Sequence, residues 1–306
     1  MSLQVLPPMT YKKALLLINS KSRQGEKLGP EILKASRSLG LEVIHLPTDP
    51  CDFAKRIEEY QDRVDLVMVA GGDGSQNASL PGLLKTKLPL LTIPLGTSNN
   101  LARNLAISLD PFEAMKLVQT GSVKTIDLGS VNDQPFFAVA GMGISIHVNQ
   151  TVPSKLKRKI GKLAYVATAI KVFAKYRPFH AVIERSGEKP SVVRTLQISV
   201  CNGRHFGSGL MVDGKATVSD GVLHLFSVEV KKWHNLLSAI YAVHTGKHGK
   251  TGPTLILEGK DFTITTRTKH RIDVDGEIST QTPAHFKVLP QSLKIFVPPQ
   301  TDQVVP

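Results

Sequence analysis

Between residues 13 and 130 short apolar runs take turns with amphipathic stretches, and this alternation restricts the fold more tightly than any other feature. KALLLINS is followed by KLGPEILKASRSLG, then by LEVIHLP, DFAKRIEEYQDR and VDLVMVAGG. That order reads as β-α-β-α-β, which predicts a parallel sheet covered by helices. Ligands of such sheets bind beyond the carboxyl ends of the strands. The segments that matter for function are therefore the loops that follow strands: INSKSRQG (18–25), LPTD (46–49), AGGDGSQN (70–77) and IPLGTSNN (93–100).

After about residue 130 the period changes to two, in PFFAVAG, FHAVIER, VVRTLQISVCNG, GVLHLFSVEV, PTLILEG and DFTITTRT, with Gly and Asp-Gly turns between them. The expected fold class is thus α/β plus β: a helix-covered parallel α/β domain over residues 1–130, followed by a β-sandwich or barrel over 131–287. Helices are expected at KLKRKIGKLAYVATAIKVFAK (155–175) and KWHNLLSAIYAVHTG (232–246). The tail from 288 to 306, with LKIFVPPQ, is read as returning to the first domain. No repeat or low-complexity linker interrupts the chain.

A chain of 306 residues, 41% of them apolar, has enough material for two cores. No apolar run reaches the roughly 18 to 20 residues that a bilayer span needs, and the start MSLQVLPPMTYKK is polar. The expectation is a cytoplasmic protein capable of peripheral membrane association. Cys51 and Cys201 have no metal-ligand spacing and fit a reducing compartment. The formal charge is +13, and residues 1–130 hold 15 basic and 13 acidic side chains, so the excess sits in the second part. Such a surface attracts phosphates, whether of nucleic acid, anionic lipid or nucleotide.

Gly71-Gly72-Asp73-Gly74 leaves a strand with main-chain N–H groups unobstructed by side chains, ahead of a helix whose positive end adds to them. Alone it is as readily a tight turn as a phosphate cradle. The second loop, Ile93-Pro94-Leu95-Gly96-Thr97-Ser98-Asn99-Asn100, also exits a strand and precedes a helix. Two such loops from neighbouring strand ends indicate one nucleotide site. The chain contains no GxxxxGK[ST], no GxGxxG opening a helix, no HRD or DFG set and no GxSxG elbow. His205, His224, His244 and His248 show no ligand arrangement.

The ordered set INSKSRQG, Thr48, GGDGSQN, PLGTSNNLARNL, NGRHFGSGL, SDGVLHLF, VDGE and PAHFKVLPQSLKIFVP resembles the catalytic domains of diacylglycerol and sphingosine kinases, above all the small soluble bacterial lipid kinases. The resemblance spans nearly the whole chain. It implies a Rossmann-like nucleotide-binding domain followed by a β-sandwich, with the site in the cleft between them, and transfer of the γ-phosphoryl group of Mg-ATP to a lipid hydroxyl. By position it implies nucleotide contacts from Asn19, Thr48, Gly71, Gly72, Gly74, Ser75, Gln76, Asn77, Gly96 and Thr97. Glu277 falls at the place of the general base, and Asp73 at that of its acidic partner near metal and phosphates. The family usually has threonine at the place of Ser75, and an aspartate within the stretch Ser98-Asn99-Asn100. An accessory Mg²⁺ site is implied around Asp220, with Thr217 and Val222 contributing carbonyls or a hydroxyl.

Read by itself, Asp275-Gly276 is a hairpin turn and Glu277 a solvated strand residue. The segment 151–180 holds eight basic and no acidic side chains, and its 155–175 stretch has an apolar stripe at helical spacing. It is either a helix packed on the sandwich or a surface for an anionic membrane. The partners expected are a lipid substrate and an anionic bilayer, without nucleic acid, because the basic excess is not interleaved with aromatics; a homodimer is left open. An ATP-dependent NAD kinase and a non-catalytic lipid or nucleotide module are the rival readings.

Overall fold

The first four strands, β1 (Lys13–Ile18), β2 (Glu42–His45), β3 (Leu66–Gly71) and β4 (Leu90–Pro94), are parallel and lie in the order β2-β1-β3-β4. They belong to a computed structural model that describes residues 11–146, 176–203, 205–206, 210–211, 216–229 and 254–299. The helices expected at 155–175 and 232–246, with His244 and His248, lie outside the described residues.

Three helices, α1 (Arg23–Ser38), α2 (Phe53–Tyr60) and α3 (Asp73–Thr86), make the crossovers between these strands; α4 (Asn100–Asn104), α5 (Pro111–Met115) and α6 (Leu117–Thr120) follow β4. The strands are apolar on both faces because both faces are covered. Leu15, Leu17, Val67 and Val69 pack on Phe53 and Ile57 of α2 and on Leu80 and Leu83 of α3. Leu16, Met68 and Leu91 point the other way, toward Ile32 of α1 and Ala114 and Met115 of α5. Sequence pattern thus becomes a doubly wound sheet with two cores. Helix α1 begins at Arg23, ahead of the stretch its periodicity marks, because the Ser22 hydroxyl accepts the Gly25 N–H at 3.0 Å and caps the first turn.

The second part contributes β5 (Ser122–Val131), β6 (Gln134–Phe136), β7 (Val139–Gly143), β8 (Phe179–Glu184), β9 (Ser191–Thr195), β10 (Gln197–Cys201), β11 (His205–Phe206), β12 (Leu210–Met211), β13 (Leu223–Val228), β14 (Thr254–Gly259), β15 (Asp261–Thr266), β16 (Arg271–Val274), β17 (Glu277–Gln281) and β18 (Ala284–Val297). One sheet runs β14-β13-β10-β7-β16-β17, and its inner residues Ile198, Val200, Leu225 and Val274 meet Ile183, Phe262 and Phe286 of the opposing layer. That opposing layer is β18-β15-β8-β9, which continues the parallel sheet.

The continuity comes from β18, 14 residues long. Its first half pairs with β15, and its second half lies parallel to β4 at Ile295 and Leu90. β5 runs antiparallel along both halves, across a bulge between Leu289 and Leu293. The ribbon of β5 and β18 therefore joins one layer of the β-sandwich to the parallel sheet. Among the described residues no helix is long and apolar enough to cross a membrane.

Candidate active site

Strand order alone locates the site. The chain leaves β1 toward β2 on one side and leaves β3 toward β4 on the other, so the carboxyl ends of β1 and β3 flank the point where the winding reverses. The loops 18–25 and 70–77 meet there. Asn19 donates its side-chain amide to the Ser75 hydroxyl at 2.9 Å, and the Asn19 N–H bonds Ala70 O at 3.0 Å. A methyl on Gly71 would lie 2.4 Å from Ser75 Oγ, so a side chain there would displace the hydroxyl that bonds Asn19. Ser75 and Gln76 are buried, and Gln76 donates to Val69 O at 3.0 Å.

The two glycine loops touch main chain to main chain. A Cβ on Gly96 would sit 2.6 Å from Gly72 Cα, and the Leu95 N–H bonds Gly71 O at 2.9 Å. Asn99, at φ 47°, folds its side chain back on Gly96, accepting the Gly96 N–H and donating to Gly96 O, both at 2.9 Å. Left-handed backbone is tolerated by asparagine better than by most residues. Gly72, in extended conformation, offers α3 no side-chain cap, in contrast to Ser22 of α1 and Asp110 of α5. The positive end of this 14-residue helix thus faces the loop cluster without a side-chain cap.

Asp73 ties the loops together. Its carboxylate accepts from the main chain at the start of α4, where Leu101 N lies 3.5 Å away. Burial raises its pKa above the ordinary carboxylate range, against the opposing effect of the N–H groups of Leu101, Asn100, Asn99 and Asp73 itself. Thr97 is exposed at the tip of the second loop. Thr48 is buried in the loop after β2, with its hydroxyl donated to Leu46 O within that loop.

Glu277 arrives from far along the chain. The turn between β16 and β17 is Asp275-Gly276, with φ 50° and 103°, a two-residue hairpin with both residues left-handed. It aims Glu277 at the glycine loop: a Cβ on Gly74 would stand 3.2 Å from Glu277 Oε1. The DGE stretch is both a hairpin turn and part of the site.

Two neighbouring carboxyls complete the cluster: Asp275, which the VDGE stretch contains as a turn residue, and Asp273, which no motif includes. Asp275 takes the N–H groups of Phe137, Ala138 and Val139 at 2.7, 3.0 and 2.9 Å. Those N–H groups point at a carboxylate, and the PFFAVAG run is accordingly split between β6 and β7. The residue lies at the hairpin tip, partly open, but its carboxyl is turned inward. Burial pushes its pKa up to about 6, against the three N–H groups, and the charge of Asp73 adds to the rise. Asp273 accepts the Gly276 N–H at 2.8 Å; burial raises it too, against that bond, and the charge of Glu277 adds. Acidic groups gathered together with raised pKa values mark a candidate functional site. The local sequence shows the hairpin but not which way its aspartate turns.

Asp220 lies in a different group. Its carboxylate accepts from the N–H of Thr217 at 2.8 Å and of Val222 at 3.2 Å, and meets His224 Nε2 at 3.3 Å. Burial acts to raise it, but His224 and these N–H groups prevail and hold it below the ordinary range. The loop is fastened to the interdomain ribbon by the Gly221 N–H, which bonds Asp127 Oδ2 at 2.8 Å, while Asp127 Oδ1 takes the N–H of Gln291 at 2.8 Å. Asn202, fully buried, donates to the carbonyls of Asp127 and Phe137. Among the described residues no three His, Cys, Asp or Glu side chains form a metal cluster.

The sequence profile of the diacylglycerol kinase catalytic domain matches residues 13–131, and that of the YegS C-terminal NAD kinase beta sandwich-like domain matches residues 138–297. The chain belongs to the diacylglycerol kinase family. A Bacillus subtilis relative named diacylglycerol kinase is 27% identical over 295 residues, covering 94% of this chain and 97% of that one. The crystal structure of a Bacillus anthracis protein described as a candidate diacylglycerol kinase superposes with a TM-score of 0.80 at 25% identity, over 97% of this chain and 99% of that one. A yeast NADH kinase, at 11% identity and a TM-score of 0.50, shares the fold alone. The family places this chain among kinases.

Proposed function

We propose that the chain transfers the γ-phosphoryl group of Mg-ATP to a lipid hydroxyl. The observation that carries this is the approach of Glu277 Oε1 to Gly74, which puts a carboxylate from the sandwich against the glycine loop of the nucleotide-type domain. Phosphoryl transfer asks a protein to position two substrates, neutralise charge and accept the alcohol proton late. In this reading residues 1–130 hold the nucleotide and 131–287 the lipid, with the tail from 288 joining them.

The residues present fit a nucleotide. The close Gly72–Gly96 approach leaves the loop surface free of side chains, and the start of α3 carries no side-chain cap. Around it Asn19 Oδ1, Gln76 Oε1 and Asn77 Oδ1 are buried acceptors without a hydrogen-bond partner, suited to the hydroxyl and amino donors of a nucleoside. Asn19, Thr48, Gly71, Gly72, Gly74, Ser75, Gln76, Asn77, Gly96 and Thr97 form the nucleotide side. Mg²⁺ would arrive with ATP as part of the substrate, and the carboxylate of Asp73 would offer it an oxygen ligand. Glu277 takes the proton of the lipid hydroxyl as its oxygen bonds the γ-phosphorus and the bond from that phosphorus to the β,γ-bridging oxygen breaks, releasing ADP. The anionic Asp220, with main-chain oxygens of Thr217 and Val222, would hold an accessory Mg²⁺ that braces the loop on Asp127.

The name of the Bacillus subtilis relative supports a diacylglycerol-like acceptor. The eight basic residues of 151–180 supply the charge that would bring the enzyme to an anionic bilayer from the cytoplasmic side. The test is transfer of label from ATP in the presence of Mg²⁺ to a panel of diacylglycerol, monoacylglycerol, sphingoid base, phosphatidylglycerol and NAD. Label in a lipid phosphate supports the reading; label in NAD, or in no acceptor, rejects it.

A further inference from the structure

We infer that Arg103 is a phosphate-binding cation of the nucleotide site, an inference that rests on the nucleotide reading above. The loops AGGDGSQN and IPLGTSNN contain no lysine or arginine, although a triphosphate carries several negative charges. The carboxyls of Asp73, Asp273, Asp275 and Glu277 make the surroundings more negative still. The first loop carries Lys21 and Arg23, and beside the two glycine loops Arg103 is the first cation that the chain supplies.

Its geometry suits the task. Arg103 stands in the last turn of α4 and reaches back to donate its Nε–H to Ser98 O at 2.9 Å. Ser98 lies between Thr97 and Asn99 in the glycine loop, so this bond lays the guanidinium against the loop. Anchoring through Nε leaves the two Nη groups, which form the planar fork that matches phosphate oxygens. Among the described residues no carboxylate forms an ion pair with Arg103, whereas Lys21 of the first loop is held by Asp49 at 2.7 Å. An exposed arginine fixed at one nitrogen costs less side-chain entropy when it binds a phosphate than a free one does.

The experiment measures binding of ATP, ADP and adenosine, each with Mg²⁺, by calorimetry on the full chain, its Arg103→Gln and its Arg103→Lys variants, beside their melting temperatures. Arg103→Gln should weaken ATP by roughly 10- to 100-fold, ADP by less and adenosine not at all. Arg103→Lys should regain part of the loss, because the charge returns without the fork. Equal ATP affinity in wild type and Arg103→Gln overturns the inference while leaving the nucleotide reading intact. An equal loss for ATP and adenosine overturns it too, since that is the mark of a loop merely deformed. Wild-type protein that binds no nucleotide overturns both the inference and the reading beneath it.

Discussion

Replacing Gly74 first by alanine and then by valine separates stability from catalysis. Gly74 is in the first turn of α3, and its φ is not in the left-handed region, so a side chain there is unstrained. Removing a helical glycine stabilises by up to about 0.5–1 kcal/mol, which in a chain of this size raises the melting temperature by about 2 °C. The new Cβ would lie 3.2 Å from Glu277 Oε1, the far end of a flexible side chain, which must retreat by a few tenths of an ångström. Valine's methyls reach about 1.5 Å further and push the carboxylate more than about 1 Å from its place. Misplacement of that size costs on the order of 100-fold in rate. Gly74→Ala should therefore melt at the wild-type temperature or above it and lose activity several-fold at most, whereas Gly74→Val folds and loses turnover by about 100-fold. Phosphotransfer to the identified lipid and scanning calorimetry give both numbers. A fully active Gly74→Val protein would show that Glu277 does not work at this loop.

Gly96→Ala acts on backbone instead: its Cβ meets Gly72 Cα at 2.6 Å and Asn99 Oδ1 at 2.7 Å, so it should destabilise by about 1–3 kcal/mol in urea titrations, and an unchanged midpoint would mean that the loops separate freely. Asp275, raised to about 6 from an unfolded value near 3.9, binds its proton more tightly in the folded chain. Its contribution to stability is present below about pH 4, is lost as the pH rises to about 6 and stays lost above, a change of roughly 2–3 kcal/mol. The difference between wild-type and Asp275→Asn denaturation curves should therefore change over that window; parallel curves would place the carboxyl in a less buried setting. Replacing Lys155, Lys159 and Lys162 with glutamine should weaken sedimentation with anionic vesicles by about 100-fold at physiological salt, and wild-type binding should fall more steeply with salt. Identical sedimentation of both proteins would move membrane contact elsewhere.

The parallel sheet was legible because β1, β3 and β4 are buried on both faces and so read as apolar runs, and the sandwich because residues such as Ile183, Ile198 and Phe262 alternate with outward neighbours. GGDG and DGE were visible as turns with glycine at left-handed or closely approached positions. What local pattern does not carry is distance. Nothing in DGE states that Asp275 turns inward to three N–H groups while Glu277 turns toward Gly74, since both follow from where β16 is held beside β7. Asp127 escaped notice for the same reason, and Asn202 opens the quoted NGRHFGSGL stretch without any local sign of its role: each acquires meaning only from partners about 65 to 164 residues away. Arg103 belonged to a recognised stretch, but its role depends on the backward bond to Ser98, which spacing does not reveal.

The central claim is that the glycine loops bind the nucleotide while Glu277 acts only on the proton of the acceptor. Single-turnover phosphotransfer, measured together with ATP affinity in wild type and Glu277→Gln, tests it most directly. The account predicts an ATP dissociation constant unchanged within about twofold and a chemical step slowed by about 100-fold or more, as for loss of a proton-transfer group. A Glu277→Gln protein that transfers phosphate at the wild-type single-turnover rate would contradict it.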